Sequence, residues 1–337
     1  MSGFVTVSIG SGLVDSIFGK CQVPLASYIE KQGEAFERES VMKYLFNFNP
    51  SRHWAEQYSS ETAMDDFVPV GEGGEYPRTG FEEGYNRIIE NMTFKQSFSV
   101  TQELVEDANL GAMKQRARKL ITAYGRTREK FGRALYAGGI YGTTVNFGGK
   151  SFACNGADGL ALFHKEHVNK VDGKKQSNLY KGAFSATLLG KIETEMQQVT
   201  GDNGELLAVS PDTIWIPNDA ALKDAVFSAV GADKEPATSN NAYNVQYGRW
   251  NIIVDPYLTQ MLRVMGKTDK PFFLLDSKFM QNGDGAIFQE RKKLEVKSVI
   301  DQNNDNNSWR GRARFGAGFV DWRFVAAGNI STGTDLA

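Results

Sequence analysis

The sequence is poor in the residues from which compact reactive sites are built. Its 337 residues include two cysteines and three histidines. Cys21 and Cys154 lie far apart, which excludes a disulfide scaffold, because such frameworks are short and dense in cysteine. Both thiols read as reduced and partly buried, made in a cytoplasm. No apolar run approaches the ~20 residues that cross a bilayer. The N-terminus MSGFVTVSIGSGLVDSIFGK lacks the basic start and continuous apolar stretch of a secretory signal, so no membrane partner is expected. Net charge is nearly absent as well: 38 Lys and Arg against 40 Asp and Glu leave −2. A free-standing nucleic-acid binder carries a strong basic excess.

Catalytic signatures are missing too. A phosphate loop needs Gly, four residues, then Gly-Lys-Ser/Thr opening a helix. Gly149-Lys150-Ser151 supplies the end, but Thr144 stands where the first Gly belongs, and Phe152-Ala153-Cys154-Asn155-Gly156 does not read as helix. No Gly-x-Ser-x-Gly elbow appears. Cys154, His164 and His167 match no common zinc spacing and lack a fourth ligand. No catalytic residue, cofactor or metal is therefore expected.

What is present is ordinary globular material, 41% apolar and 23% charged, enough for two lobes or for one lobe with extensions. The charge is distributed unevenly. Between Trp54 and Gly84 stand eight acids, Glu56, Glu61, Asp65, Asp66, Glu72, Glu75, Glu82 and Glu83, with Arg78 the only Lys or Arg. The segment reads as a two-stranded finger. A weak extended stretch lies near Ala63 to Val70. The breakers Gly71-Glu-Gly-Gly-Glu-Tyr-Pro-Arg-Thr-Gly80 form the tip. A strand then places Ile88, Met92, Phe94, Phe98 and Val100 on one face. The acids serve either as a solvated face that keeps an exposed edge from aggregating or as a surface for a basic partner.

Ser99-Val-Thr-Gln102 fits a capping box, with Glu103, Glu106 and Asp107 where a helix dipole favours acids. A helix follows from about Ala112 to Ala137. Met113, Ala117, Leu120, Ile121, Tyr124, Phe131 and Leu135 form its apolar stripe. Lys114, Arg116, Arg118, Lys119, Arg126, Lys130 and Arg133 spread over the rest, with Glu129 opposing them and Arg128 at the stripe's edge. Gly138-Gly139 ends it.

Before the finger, residues 1–50 read as an arm, helical from about Val23 to Phe46, too small to bury itself. Beyond residue 140 the pattern is mixed. Helices are expected at Ser185 to Val199 and Asp219 to Ala229. Strands are expected at Thr213 to Pro217, Asn251 to Val254, Phe272 to Leu275 and Leu294 to Val299. A closing hairpin turns around Gly316-Ala-Gly318, from Trp309 to Phe315 and from Phe319 to Val325. Asp301 to Ser308 reads as an exposed loop tip.

The order of these elements resembles the major capsid protein family of tailed bacteriophages, which shares its fold with encapsulins. Ser99-Val-Thr-Gln-Glu-Leu-Val-Glu-Asp107 resembles the entry to that family's spine helix. Leu162-Phe-His-Lys-Glu-His-Val-Asn169 resembles a loop of the group, and Ile216-Pro-Asn-Asp-Ala-Ala-Leu222 the strand-to-helix step of its central lobe. Trp309-Arg-Gly-Arg-Ala-Arg-Phe-Gly-Ala-Gly-Phe-Val-Asp-Trp322 resembles its closing strands. The likeness spans most of the chain, and the order of the motifs carries it.

The resemblance implies an α+β fold with an N-terminal arm (1–52) and an extended two-stranded loop (53–98). It implies a peripheral lobe with the spine helix (99–184 and 265–318) and an axial lobe (185–264 and 319–337). The implied function is a shell subunit that self-assembles as pentamers and hexamers into an icosahedral head around double-stranded DNA, touched without sequence specificity. It is expected in the virion, and in the host cytoplasm during assembly. Because the arm starts almost at once, a separate scaffolding protein is expected, with a portal and decoration proteins as further partners. An encapsulin-type compartment and a motif-free soluble enzyme are the alternatives. Candidate contacts between subunits pair the finger (Glu61, Asp65, Asp66, Glu72, Glu75, Arg78) with a basic set (Arg291, Lys292, Lys293, Arg310, Arg312, Arg314). Lys114, Arg118, Lys119, Arg126, Lys130 and Arg133 form a basic helix face that meets DNA, a neighbour or solvent.

Overall fold

The computed structural model describes residues 5–8, 17–61, 67–72, 75–76, 83–101, 110–231, 244–300 and 307–336. In chain order the elements begin with β1 (Val5–Ser8), α1 (Ile17–Glu39), α2 (Met42–Leu45) and β2 (Asn47–Pro50). There follow β3 (Ala55–Glu61), β4 (Glu83–Glu90), β5 (Met92–Val100) and the long helix α3 (Leu110–Tyr141). Four short strands come next: β6 (Thr144–Phe147), β7 (Lys150–Ala153), β8 (His167–Val168) and β9 (Lys175–Gln176). Then come α4 (Ala186–Gln197), β10 (Thr213–Pro217), α5 (Ala220–Val230), β11 (Asn251–Asp255) and α6 (Pro256–Val264). The chain closes with β12 (Phe272–Leu275), β13 (Ala286–Ile300), β14 (Asn307–Phe319) and β15 (Val325–Gly328). No described helix is long and apolar enough to cross a membrane.

Two sheets organise the chain. The larger runs β1-β13-β14-β5, with β2 also parallel to β13. The smaller runs β11-β10-β12-β15. The apolar stripe of α3 covers one face of the larger sheet: Met113, Ala117, Leu120, Ile121, Tyr124, Phe131 and Leu135 are all buried. Phe131 meets the stacked pair Phe94 and Phe315, whose centroids are 4.1 Å apart. Tyr136 carries the same core onward to Trp215 of the smaller sheet, and its hydroxyl donates to Leu45 O at 2.6 Å.

The arm packs on its own chain. β1 lies parallel to Leu294–Lys297 and β2 parallel to Ile287–Glu290. Phe36 of α1 lies against Gly125 of α3, where an added Cβ would sit 2.3 Å from the ring. The expected single helix from Val23 to Phe46 is instead two, broken at Ser40, and it starts earlier. α4 and α5 begin as expected, at Ser185 and Asp219, whose side chains accept from Leu188 N and Leu222 N. Satisfying such a first-turn N–H is what favours these residues at helix starts.

Several expectations fail for tertiary reasons. α3 runs through Gly138-Gly139 to Tyr141. These glycines admit close neighbours: an added Cβ would lie 2.6 Å from Val145 Cβ at Gly138 and 2.8 Å from Leu162 Cβ at Gly139. Ser99 is a strand residue opposite Ser308, while Gln102, Glu103, Glu106 and Asp107 lie outside the described residues. The hairpin around Gly316-Ala-Gly318 does not form. β14 continues straight through it, paired with β13, whose far end was not anticipated. A Cβ on Gly316 would lie 2.3 Å from Glu90 O, and one on Gly318 3.0 Å from Ile89, so the root of the finger crosses the strand there. The tip residues 301–306 lie outside the described residues.

Candidate assembly surfaces

The finger is β3 paired with β4, so its first strand lies earlier than Ala63 to Val70. Residues 67–70 are without regular structure. The alternation of the second strand breaks at Asn91. Ile89 is buried with Ile287 and Val320, whereas Ile88 is exposed, contrary to the face assigned from the sequence. Asn91 pins the root. Its N–H donates to Trp54 O at 2.8 Å, and its side-chain amide donates to Ser51 Oγ and His53 O. Glu56 closes the adjoining turn by accepting from Ser51 Oγ and from the N–H groups of Arg52 and His53. The His53 and Arg52 amides, then the Ser51 hydroxyl, pull its carboxyl down to about 2, since bonds to the charged form favour it.

Beyond this root the finger touches the body through Tyr85, whose hydroxyl donates to Val168 O at 3.3 Å and whose ring lies 5.7 Å from Lys170 Nζ. Trp54, Phe67, Val68, Val70, Tyr76 and Ile88 are large apolar side chains left exposed. The composition of this segment shows its acids but not this apolar exposure. Glu72 and Glu75 are exposed; the side chain of Glu61, and Asp65, Asp66 and Arg78, lie outside what is described.

A basic surface occupies the open face of the larger sheet. Residues two apart on a strand share a face, so Arg310, Arg312 and Arg314 line up along β14. Arg310 lies opposite Lys297 and Ser97, Arg312 opposite Glu295 and Lys95, and Arg314 opposite Lys292 and Thr93. Lys95 and Lys297 complete the surface and were not identified from the sequence. Their sheet position is visible only once three strands are in register. Lys95, Glu295, Lys297, Arg310 and Arg312 line a cleft of about 490 Å³. Burial, then the neighbouring guanidiniums of Arg291 and Arg312, lower the pKa of Arg314. Positive charge is crowded here. Lys292 and Lys297 share Glu295, at 3.9 and 3.2 Å. Lys293 is drawn instead to Glu290, which also accepts from Arg128 of α3.

The second basic surface is on α3. Lys114, Arg118, Lys119 and Arg126 are exposed and Lys130 is half-buried. Arg133 is not part of that surface. It is buried, donates to Asp255 Oδ2 and pairs with Glu129 one turn back. The helix leaves the solvent at its C-terminal half, where even its polar side faces protein.

The groups considered for metal or acid–base chemistry are committed to structure. His167 stacks on Trp322 with centroids 4.2 Å apart, and its ring nitrogens face Asp158 Oδ2 at 2.5 Å and Asn178 Oδ1 at 3.2 Å. Cys154 donates to Gly142 O, and burial pushes its thiol up to about 12. A node the sequence did not announce lies beside them. Arg323 donates to Asp321, Asp202, Asn169 and Thr200 O, tying distant loops together.

No curated protein matches the chain by sequence. Solved phage structures match it in fold. The cyanophage P-SCSP1u capsid is 9% identical with a TM-score of 0.53, covering 88% of this chain and 89% of that one. The protein of Mycobacterium phage Patience is 11% identical with a TM-score of 0.51, covering 93% and 88%. Residues 89–328, from the finger's second strand to the last strand of the smaller sheet, match the family model described as phage capsid protein. With that match over most of its length, the chain belongs to the phage capsid protein family and is a structural subunit of a phage head shell.

Proposed function

We propose that this subunit closes an icosahedral head around double-stranded DNA, with its acidic finger lying on the basic sheet face of the next subunit. The observation that carries the reading is the mismatch within one subunit. The finger exposes Glu72, Glu75 and six large apolar side chains, while Lys95, Lys297, Arg310 and Arg312 crowd a sheet face elsewhere. On the basic face Glu295 is shared by Lys292 and Lys297, so one carboxylate stands among several cations, and the exposed acids of a finger would supply the balance. A heterologous contact of this kind, repeated about rotation axes, builds closed rings such as pentamers and hexamers. Simultaneous engagement of several modest contacts multiplies the hold.

In this reading residues 53–98 are the reaching loop and residues 1–52 an arm folded back on its own subunit. The lobe with α3 (99–184 and 265–318) forms the periphery, and the lobe with the smaller sheet (185–264 and 319–337) meets the axes. Lys114, Arg118 and Lys119 form an exposed basic surface on the side of α3 turned away from the sheet. Non-specific contact with packaged DNA suits it, because phosphate neutralisation needs charge and no base readout. A separate scaffolding protein, a portal and decoration proteins are the partners this reading expects, with no turnover of any substrate.

Reversing Asp65, Asp66, Glu72 and Glu75 to Lys tests the reading. It should abolish particles, and reversing Arg310 and Arg312 to Glu in the same chain should restore part of the yield. High salt should loosen assembly of the unsubstituted chain, because exposed pairs are worth ~0–1 kcal/mol each and are screened. Unchanged assembly and an unchanged salt response in the reversed chain would sink the finger contact.

A further inference from the structure

We infer that Phe67 of one subunit seats in an apolar socket on the next, between α3 and the edge strand of the larger sheet. The inference rests on the proposed docking of the finger and names the residue that anchors it. Phe67 is 99% exposed, and its neighbours Val68 and Val70 are 59% and 55% exposed. A contiguous run of large apolar side chains held in water marks a surface meant for covering. A central aromatic is the usual anchor of an interface.

The socket has a volume of about 320 Å³. Phe94, Leu120, Gly311 and Ala313 form its floor, and Lys95 and Arg126 stand at its rim. Gly311 of β14 lets Leu294 and Leu120 close in on the sheet at this floor. A Cβ on Gly311 would sit 3.2 Å from Leu294 Cδ1 and 3.5 Å from Leu120 Cδ2. It lies beside the sheet's edge, since no further strand pairs with β5 among the described residues. Lys95 also lines the basic cleft, so socket and cleft adjoin.

Charge selects the occupant. Asp65-Asp66 immediately precede Phe67 in the sequence, and a basic rim suits them. Tyr76 is the competing knob at 94% exposed. It is followed by Pro77-Arg78, which would bring a like charge to Lys95 and Arg126. A second copy is required, because the near-complete exposure of Phe67 shows that it does not reach the socket of its own subunit.

Two cysteine pairs in the full chain provide the test. Val68→Cys with Gln96→Cys keeps the Phe67 knob and places one thiol beside it and one at the socket, where Gln96 is exposed. Val68→Cys with Asp224→Cys, on exposed α5, is the control. Treated with a short bis-maleimide in assembled particles, the first pair should give at least about tenfold more covalent oligomer than the control or any single variant. Particles that form normally, with a ladder no stronger than the control, would overturn the socket and leave the shell reading standing. Failure of the unsubstituted chain to form particles, alone or with its genomic neighbours, would overturn both. As a second arm, Phe67→Ala and Ala123→Trp, which fills the socket that Ala123 also lines, should each cut particle yield by roughly tenfold with the subunit's thermal midpoint unchanged, and the double variant should be no worse than either. Full yields from both single variants would also overturn the socket.

Discussion

Arg133 Nε donates to Asp255 Oδ2 across 2.6 Å of protein interior, joining the long helix to the smaller sheet. Asp255 is the last residue of β11. It also accepts from Trp215 Nε1 and caps α6 through the N–H groups of Tyr257 and Leu258. One buried carboxylate therefore fixes three elements. Removing the cation leaves that charge without its main partner, which costs about 3–5 kcal/mol. Arg133→Met should lower the unfolding free energy of the subunit by that amount in urea titrations. Arg118→Met, on the exposed side of the same helix, should stay within about 0.5 kcal/mol. Equal effects would contradict the burial of Arg133.

Gly316 tests how the finger is rooted. Its added Cβ would meet the Glu90 carbonyl oxygen at 2.3 Å, and backbone does not step aside as a flexible side chain does. Gly316→Ala is expected to destabilise by about 1–3 kcal/mol. Gly71→Ala, with nothing within 4 Å of its Cβ, should be silent by the same thermal denaturation measurement.

Glu56 predicts a pH response confined to the finger's base. Its carboxyl is held at about 2 against an ordinary 4.5. A carboxyl lowered on folding stabilises above its unfolded pKa and loses that contribution as pH falls through its folded one. The turn at Ser51–His53 should therefore hold above pH 4.5 and loosen towards pH 2. The protection factors of the Arg52 and His53 amides, taken against the intrinsic rate at each pH, should fall over that range. In Glu56→Gln they should already be lower at neutral pH and respond less to acid.

Cys154 should behave as a hidden thiol. With its thiol pushed up to about 12 by burial, it should resist alkylation at about pH 9, where an ordinary thiol of pKa ~8.5 is largely ionised. Mass spectrometry of the labelled protein should show Cys154 modified only after denaturation.

Much of this fold is legible in the sequence, and the gaps share a cause. Periodicity placed α3 and its buried stripe, because a long amphipathic helix writes its pattern locally. Ser185 and Asp219 announced their helices, because a cap bonds its own first turn. The helical period alone puts Arg133 on the polar face and does not reveal that another sheet covers it. Gly138, Gly139 and Gly316 look like stops because glycine in a sequence looks the same whether it ends an element or admits a neighbour. Strict alternation puts Ile88 on the wrong face because one residue, Asn91, breaks it where the finger joins the sheet. For the assembly surfaces, the acidic finger and the arginines of β14 stood out as runs of charge. Lys95 and Lys297 come from other strands, and Phe67 stands out only by its exposure.

The most direct test of the account is the assembled state of the full chain, expressed with its genomic neighbours and viewed by negative-stain electron microscopy alongside sedimentation. The account predicts closed shells of uniform diameter that loosen as salt is raised. A monodisperse monomer at every salt concentration would contradict it.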